Sequence, residues 1–204
     1  MEVEKSYGKH KVLNNVSYAF CSGKCYLLVG ENGSGKSTLL KGMLKLISFT
    51  SGEARIHQTP IGYVPEKIVF PEFLSIHQFL SELARIRGLK GKKANERIDA
   101  LLEEWELSDS RDRKMGELSK GMNQKVLIIQ ALLTSPELYF FDEPMSGLDE
   151  RSQRRLVNQI RALKIEKKTM IVTTHYPRQY EQAADIALIM ENGKLYEKSD
   201  ILPF

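Results

Sequence analysis

The stretch Tyr26-Leu27-Leu28-Val29-Gly30-Glu31-Asn32-Gly33-Ser34-Gly35-Lys36-Ser37-Thr38-Leu39-Leu40 decides the reading of this chain. An apolar run, a glycine-rich loop and a second apolar pattern that continues to Leu44 make strand, loop and helix in that order. Gly30, Gly35, Lys36 and Ser37 fit the spacing Gly-x-x-x-x-Gly-Lys-Ser/Thr. Glycines in such a loop let backbone N–H groups turn inward around phosphate oxygens, and the helix behind them adds the positive end of its dipole. Gly30, Asn32, Gly33, Ser34 and Gly35 are therefore the expected cradle. Lys36 is expected to reach β- and γ-phosphates, Ser37 to place its hydroxyl on Mg2+, and Thr38 to add a further phosphate hydrogen bond.

Moving outward, Leu138-Tyr139-Phe140-Phe141 leads into Asp142-Glu143, an apolar strand ending in two carboxylates. Parallel sheets bind ligands at that edge. There Asp142 can hold a Mg2+ shell and Glu143 can polarise an attacking water as general base. His175 follows Met170-Ile171-Val172-Thr173-Thr174, again at a strand end, where an imidazole could bind a γ-phosphate. These runs, with Cys25-Val29 and Ala187-Met190, alternate with helical patterns, which predicts an α/β fold with a mostly parallel sheet. Glu191-Asn192-Gly193-Lys194 then puts Asn-Gly where a hairpin wants positive φ, so an antiparallel pair is expected near the C-terminal end.

The middle of the chain reads as a helical insert over about residues 67–117. Ser75 precedes Ile76, Phe79, Leu80, Leu83 and Ile86 at helical spacing, Gln78 completes a capping box, and Gly88 is a stop signal. A second helix carries Ile98, Leu101, Leu102 and Trp105 on one face. Arg85, Arg87, Lys90, Lys92, Lys93 and Arg97 read as a solvated face, or as contacts for an acidic partner.

The 204 residues carry 42% hydrophobic and 27% charged residues and a net charge of +4. That composition fits one globular domain and excludes disorder. The longest near-continuous apolar run, Val126 to Leu133, is far short of the roughly 18 residues that cross a bilayer. No secretory h-region precedes residue 20, so the cytoplasm is the expected compartment. Cys21 and Cys25 are too few for a disulfide framework and read as reduced structural thiols. The charge is too small to call for nucleic acid as a partner.

Leu118-Ser119-Lys120-Gly121-Met122-Asn123-Gln124-Lys125 stands before a helix expected to place Met122, Val126, Ile129 and Leu133 on one face and to end before Pro136. This segment resembles the LSGGQ signature of ATP-binding cassette (ABC) ATPases, and the chain from about Glu2 to Ser199 is similar to that family throughout. Tyr7 matches the aromatic that stacks on adenine, Gly30 to Thr38 the Walker A loop, and Phe140 to Glu143 the Walker B end. Ser146-Gly147-Leu148-Asp149 matches the D-loop and His175 the switch histidine. The resemblance implies a P-loop NTPase ABC cassette: a mostly parallel core sheet, an antiparallel β part and a helical subdomain, in a single domain over residues 1–204. That length leaves little for a further regulatory domain.

The resemblance also implies ATP and Mg2+ as cofactors and a head-to-tail dimer with a second cassette, of the same or a different chain. Ser119 and Gly121 of one subunit would then meet the γ-phosphate held by the other, with Asp149 beside it. Two motifs depart from the family pattern. Glu66 follows Tyr63-Val64-Pro65 where Gln is usual; its carboxylate can still ligate Mg2+ or orient water, at the expense of added negative charge. The signature reads LSKGM, keeping Ser119 and Gly121.

These variants, with the Arg-rich end Leu83-Ala84-Arg85-Ile86-Arg87-Gly88, resemble the ABC-2 exporter type. The resemblance implies an ATPase energising transport, in the direction of export, through a separate transmembrane permease, held peripherally at the cytoplasmic face of the cell membrane. The alternative is a soluble ABC-type ATPase of DNA repair or translation, but such proteins usually carry paired cassettes or long coiled-coil inserts, and neither is present. A P-loop kinase or GTPase fits less well, because no Asn-Lys-x-Asp element occurs.

Overall fold

Val3–Tyr7 (β1) and His10–Val16 (β2) form an antiparallel pair ahead of Cys25–Val29 (β3), which runs into the glycine loop and the helix Lys36–Met43 (α1). The computed structural model describes residues 2–57 and 60–198; Ser199, the expected limit of the resemblance, lies outside them. Next come Ile61–Val64 (β4), Ile76–Ile86 (α2), Gly91–Glu104 (α3), Lys120–Leu132 (α4) and Leu138–Asp142 (β5). The chain continues through Glu150–Ile165 (α5), Thr169–Thr174 (β6), Ile186–Glu191 (β7) and Lys194–Lys198 (β8). Among the described residues, no helix is long and apolar enough to cross a membrane.

The main sheet has the order β4-β5-β6-β3-β7-β8, parallel throughout except for β8. Its central strands are apolar on both faces because both are covered, as parallel sheets require. Tyr26, Leu28, Phe140 and Ile171 pack on the α1 side, while Leu27, Tyr139, Phe141, Met170 and Val172 pack on the other. The register brings Val29 beside Thr174 and Asp142 beside Thr173. The phosphate loop, the carboxylate pair and His175 therefore all leave the sheet at one edge.

The β7–β8 hairpin turns at Asn192 (φ 49°) and Gly193 (φ 71°), the two positive φ values a type I′ turn needs. Its Gly193 carbonyl accepts from Asn14 N at 2.8 Å, which hooks the hairpin onto β2.

The helical insert keeps the capping box: Ser75 Oγ accepts from Gln78 N, and Gln78 Oε1 accepts from Ser75 N. Ile76, Leu80 and Ala84 are buried beneath α2, whereas Ile86, expected on that face, is 73% exposed. The helix ends there. Gly88 at φ +84° turns the chain, Leu89 N bonds Ala84 O, and Leu89 packs against the core instead. Ile98, Leu101, Leu102 and Trp105 are buried as expected, Trp105 as the residue capping α3. The insert's side chains join one continuous core with Tyr139 and Phe141 of the sheet.

The helix after the signature buries the expected face, with Val126, Ile129 and Leu133 buried and Met122 packed against the core, and more besides: from Gln124 to Leu132 every residue but Lys125 is buried, because α2, α3 and β4 all pack on α4. One further expectation is corrected: the insert's cations do not all lie on a solvated face. Arg85 pairs with Glu82 and Lys92 with Glu96 in solvent, but Arg87 donates to Gln130 O and Gln130 Oε1, and Arg97 donates to Leu132 O. The last-turn carbonyls of a helix lack intrahelical donors and carry the negative end of its dipole, so these two arginines cap α4. Both cysteines are free: Cys25 is buried, which pushes its thiol up to about 12, and Cys21 is exposed.

Candidate functional site

Gly35, at φ 108°, is the N-cap of α1, and no side chain caps that end. The first-turn N–H groups of α1 thus remain available to an anion. Gly33 also takes a positive φ, and a Cβ on Gly30 would sit 2.4 Å from Met190 O, so the loop lies against β7 where only glycine fits. Lys36 is buried and folds back over the loop, donating to Gly30 O at 2.6 Å and Glu31 O at 3.0 Å.

The edge of the sheet brings the expected polar groups together. Ser37 Oγ donates to Asp142 Oδ1 at 2.9 Å and Thr173 Oγ1 donates to the same oxygen at 2.7 Å. Thr173 Oγ1 also accepts from Glu143 N at 2.9 Å. Glu143 Oε1 lies 3.5 Å from Lys36 Nζ, and Glu143 Oε2 is 2.9 Å from His175 Nδ1. Lys36, Ser37, Asp142, Glu143 and His175 therefore form one constellation. Thr173 is the member that sequence reasoning missed; its signal is a threonine pair closing an otherwise apolar strand.

Burial pushes the Asp142 carboxyl above the ordinary aspartate range, opposed by the hydrogen bonds from Thr173 and Ser37 and reinforced by the negative charge of Glu66. Its second oxygen, Oδ2, is buried with no hydrogen-bond partner. A buried carboxylate oxygen left open beside a serine hydroxyl is a hard-oxygen donor set, which fits Mg2+. Among the described residues, no group of three or more His, Cys, Asp or Glu is gathered to hold a metal. Glu66 is exposed, with Lys67 3.9 Å away.

Ser119, Gly121 and Asp149 form a second group. Ser119 is the N-cap of α4 and accepts from Met122 N at 3.2 Å; a Cβ on Gly121 would sit 2.8 Å from Gly147 O. The signature turn thus packs on the loop that ends at Asp149. Asp149 caps α5 by accepting from Ser152 N at 2.8 Å, a backbone hydrogen bond that holds its carboxyl below the usual range. Tyr7 ends β1 half exposed, with the Lys5 ammonium 4.8 Å above its ring, leaving an aromatic surface open to solvent. Asn32 and Gly33 are exposed at the loop tip, and Ser34 and Thr38 are half-buried.

A family model described as ABC transporter matches residues 13–146. The uncharacterized ABC transporter ATP-binding protein YxlF of Bacillus subtilis (strain 168) is 33% identical over 203 residues, covering 97% of this chain and 68% of its own length. The Nod factor export ATP-binding protein I of Rhizobium sp. (strain N33) is 32% identical, covering 94% of this chain and 67% of its own. Among solved structures, the ATP binding subunit of an ABC transporter superposes with a TM-score of 0.88 at 29% identity, over 97% of this chain and 87% of that one. A dimeric, post-hydrolysis ATP-binding cassette bound to ADP and Pi shares the fold with a TM-score of 0.89 at 23% identity, over 100% of this chain and 98% of that one.

Proposed function

The chain belongs to the ABC transporter family, and from that premise we propose that it is the ATP-hydrolysing subunit of a transporter, energising export through a separate permease. The observation that carries this reading is Glu143, held at once by Lys36 and His175 at the edge where the phosphate loop opens. A carboxylate in that position can take a proton from a water attacking the γ-phosphate, and His175 both orients it and offers a donor to the phosphate. Lys36 and the α1 N-terminus bind the phosphates, and the exposed Tyr7 ring offers a stacking face for adenine. Ser37 and Asp142 would hold Mg2+, which would supply neutralisation of the phosphate charge.

A second cassette would complete the site, with the partner's Ser119-capped α4 N-terminus meeting the γ-phosphate. The permease would dock beside Glu66, where Val69 is 92% and Phe73 75% exposed, an apolar surface suited to a cytoplasmic helix of a membrane protein. Export is favoured by the export proteins among the relatives. On this reading the chain works at the cytoplasmic face of the membrane.

The test is Glu143→Gln. Removing a general base lowers turnover by roughly 100- to 10,000-fold, so the variant should bind ATP, form an ATP-dependent dimer and scarcely hydrolyse it. A variant that stays monomeric with ATP and turns it over normally would overturn the proposal. Detergent co-purification of the native chain with a multi-span protein tests the permease.

A further inference from the structure

We propose that Gln124, on the helix that starts at the signature serine, is a positioning residue for Glu143, fixing the backbone from which that carboxylate reaches Lys36 and His175. The inference rests on the reading of this chain as an ATP-hydrolysing cassette. Gln124 is 5% exposed, and its Nε2 donates to Pro144 O at 2.9 Å. That carbonyl belongs to the residue directly after Glu143. The other buried polar residue of α4, Gln130, serves a different neighbour, because its amide donates to Tyr63 O of β4 and to Leu127 O.

Glu143 needs this support. Its φ of 47° lies in the left-handed region, which disfavours residues with a Cβ, and a proline follows it, which restricts its backbone further. Such a conformation persists only where the surroundings over-determine it. Three ties do so: Glu143 N to Thr173 Oγ1 at 2.9 Å, Ser146 N to Glu143 O at 3.1 Å, and Gln124 to Pro144 O.

The signature helix braces this loop twice. Gly121 lies three residues before Gln124, on the same helical face, and its Cα presses on Gly147 O so closely that a Cβ would sit 2.8 Å away. An apolar side chain at 124 would fill the same space, so the amide contributes direction rather than volume. A displacement of the first turn of α4, the turn proposed to meet the partner's nucleotide, is carried through Gln124 to the Pro144 carbonyl and so to this subunit's own Glu143. The Gln124–Pro144 hydrogen bond, beside the Gly121–Gly147 contact, thereby links the partner-facing turn of each subunit to that subunit's own Glu143.

The test uses the full chain with Gln124→Met, which keeps length and lacks the donor. Because a misplacement of ~1 Å at a reacting group costs on the order of 100-fold in rate, kcat should fall about tenfold or more while the ATP dissociation constant stays within about twofold. Amide hydrogen exchange at Glu143 and Ser146 should accelerate, with Leu39 in α1 unchanged. Unchanged turnover and unchanged exchange at Glu143 and Ser146 would overturn the proposal, as would a loss of nucleotide affinity with faster exchange throughout α1, which marks a packing role. A native chain that binds ATP without hydrolysing it would instead sink the ATPase reading, and the exchange at Glu143 and Ser146 would still decide whether Gln124 holds that backbone.

Discussion

The Ser37 hydroxyl donates to Asp142 Oδ1 across 2.9 Å, joining the helix after the phosphate loop to the end of a strand two places away in the sheet. Thr173, on the strand between them, donates to the same oxygen. The three side chains make the polar floor on which Glu143 stands. Thr173→Val keeps the shape of that residue but removes a donor to a buried carboxylate and an acceptor for Glu143 N. Leaving buried partners unpaired costs roughly 1–3 kcal/mol, so urea denaturation should show a loss of that size, with most of it restored by Thr173→Ser. A valine variant as stable as the native protein would contradict the assigned bonds.

Burial raises the Asp142 carboxyl, and the negative charge of Glu66 adds to that in the same direction. The same charge opposes the approach of a γ-phosphate until a cation neutralises it. Glu66→Gln should therefore relax the Mg2+ requirement, moving the half-saturating Mg2+ concentration of ATP turnover downward. Equal midpoints for the two proteins would refute this.

Two arginines of one helix end provide a sharp contrast. Arg87 reaches Gln130 O and Gln130 Oε1, while Arg85 meets only Glu82 in solvent among the bonds described. Hydrogen bonds to charged groups contribute about 1.5–3 kcal/mol and exposed ion pairs typically about 0.2–1 kcal/mol. Arg87→Met should thus destabilise the fold by about 2 kcal/mol and loosen the insert in hydrogen exchange, whereas Arg85→Ala should change little. Comparable effects from both would remove the capping role of Arg87.

The same contrast explains what the sequence did and did not disclose. Strand, glycine loop and helix around Gly30 to Leu40, the Asn192-Gly193 hairpin and the Ser75 capping box are local: a few neighbouring residues dictate them, so spacing suffices. The constellation of Lys36, Ser37, Asp142, Glu143 and His175 was legible because parallel strands deliver their C-terminal ends to one edge. Thr173, Arg87 and Gln124 were not, since each acts through a tertiary partner far away in the chain, and a threonine in a strand or a glutamine in a helix carries no periodic signal of that partner. Ile86 misled for the converse reason: its spacing fits the apolar face, but Gly88 ends the helix before tertiary packing can use it.

Gly121 sets two effects against each other. Alanine in a helix is favoured over glycine by about 1 kcal/mol, so on propensity alone Gly121→Ala stabilises α4. A Cβ there, however, would lie 2.8 Å from Gly147 O, a backbone atom whose own residue is held at φ +81°. The loop from Glu143 to Asp149 has to shift, because the neighbour is no flexible side chain that can swing away, and overpacking of that kind costs roughly 1–3 kcal/mol. The clash wins or at least cancels the gain, so the variant should be no more stable than the native chain in urea denaturation. It should also lose ATP turnover, since the displaced loop carries the Pro144 carbonyl that faces Gln124. A variant about 1 kcal/mol more stable and fully active would mean that the signature turn and this loop do not press on each other.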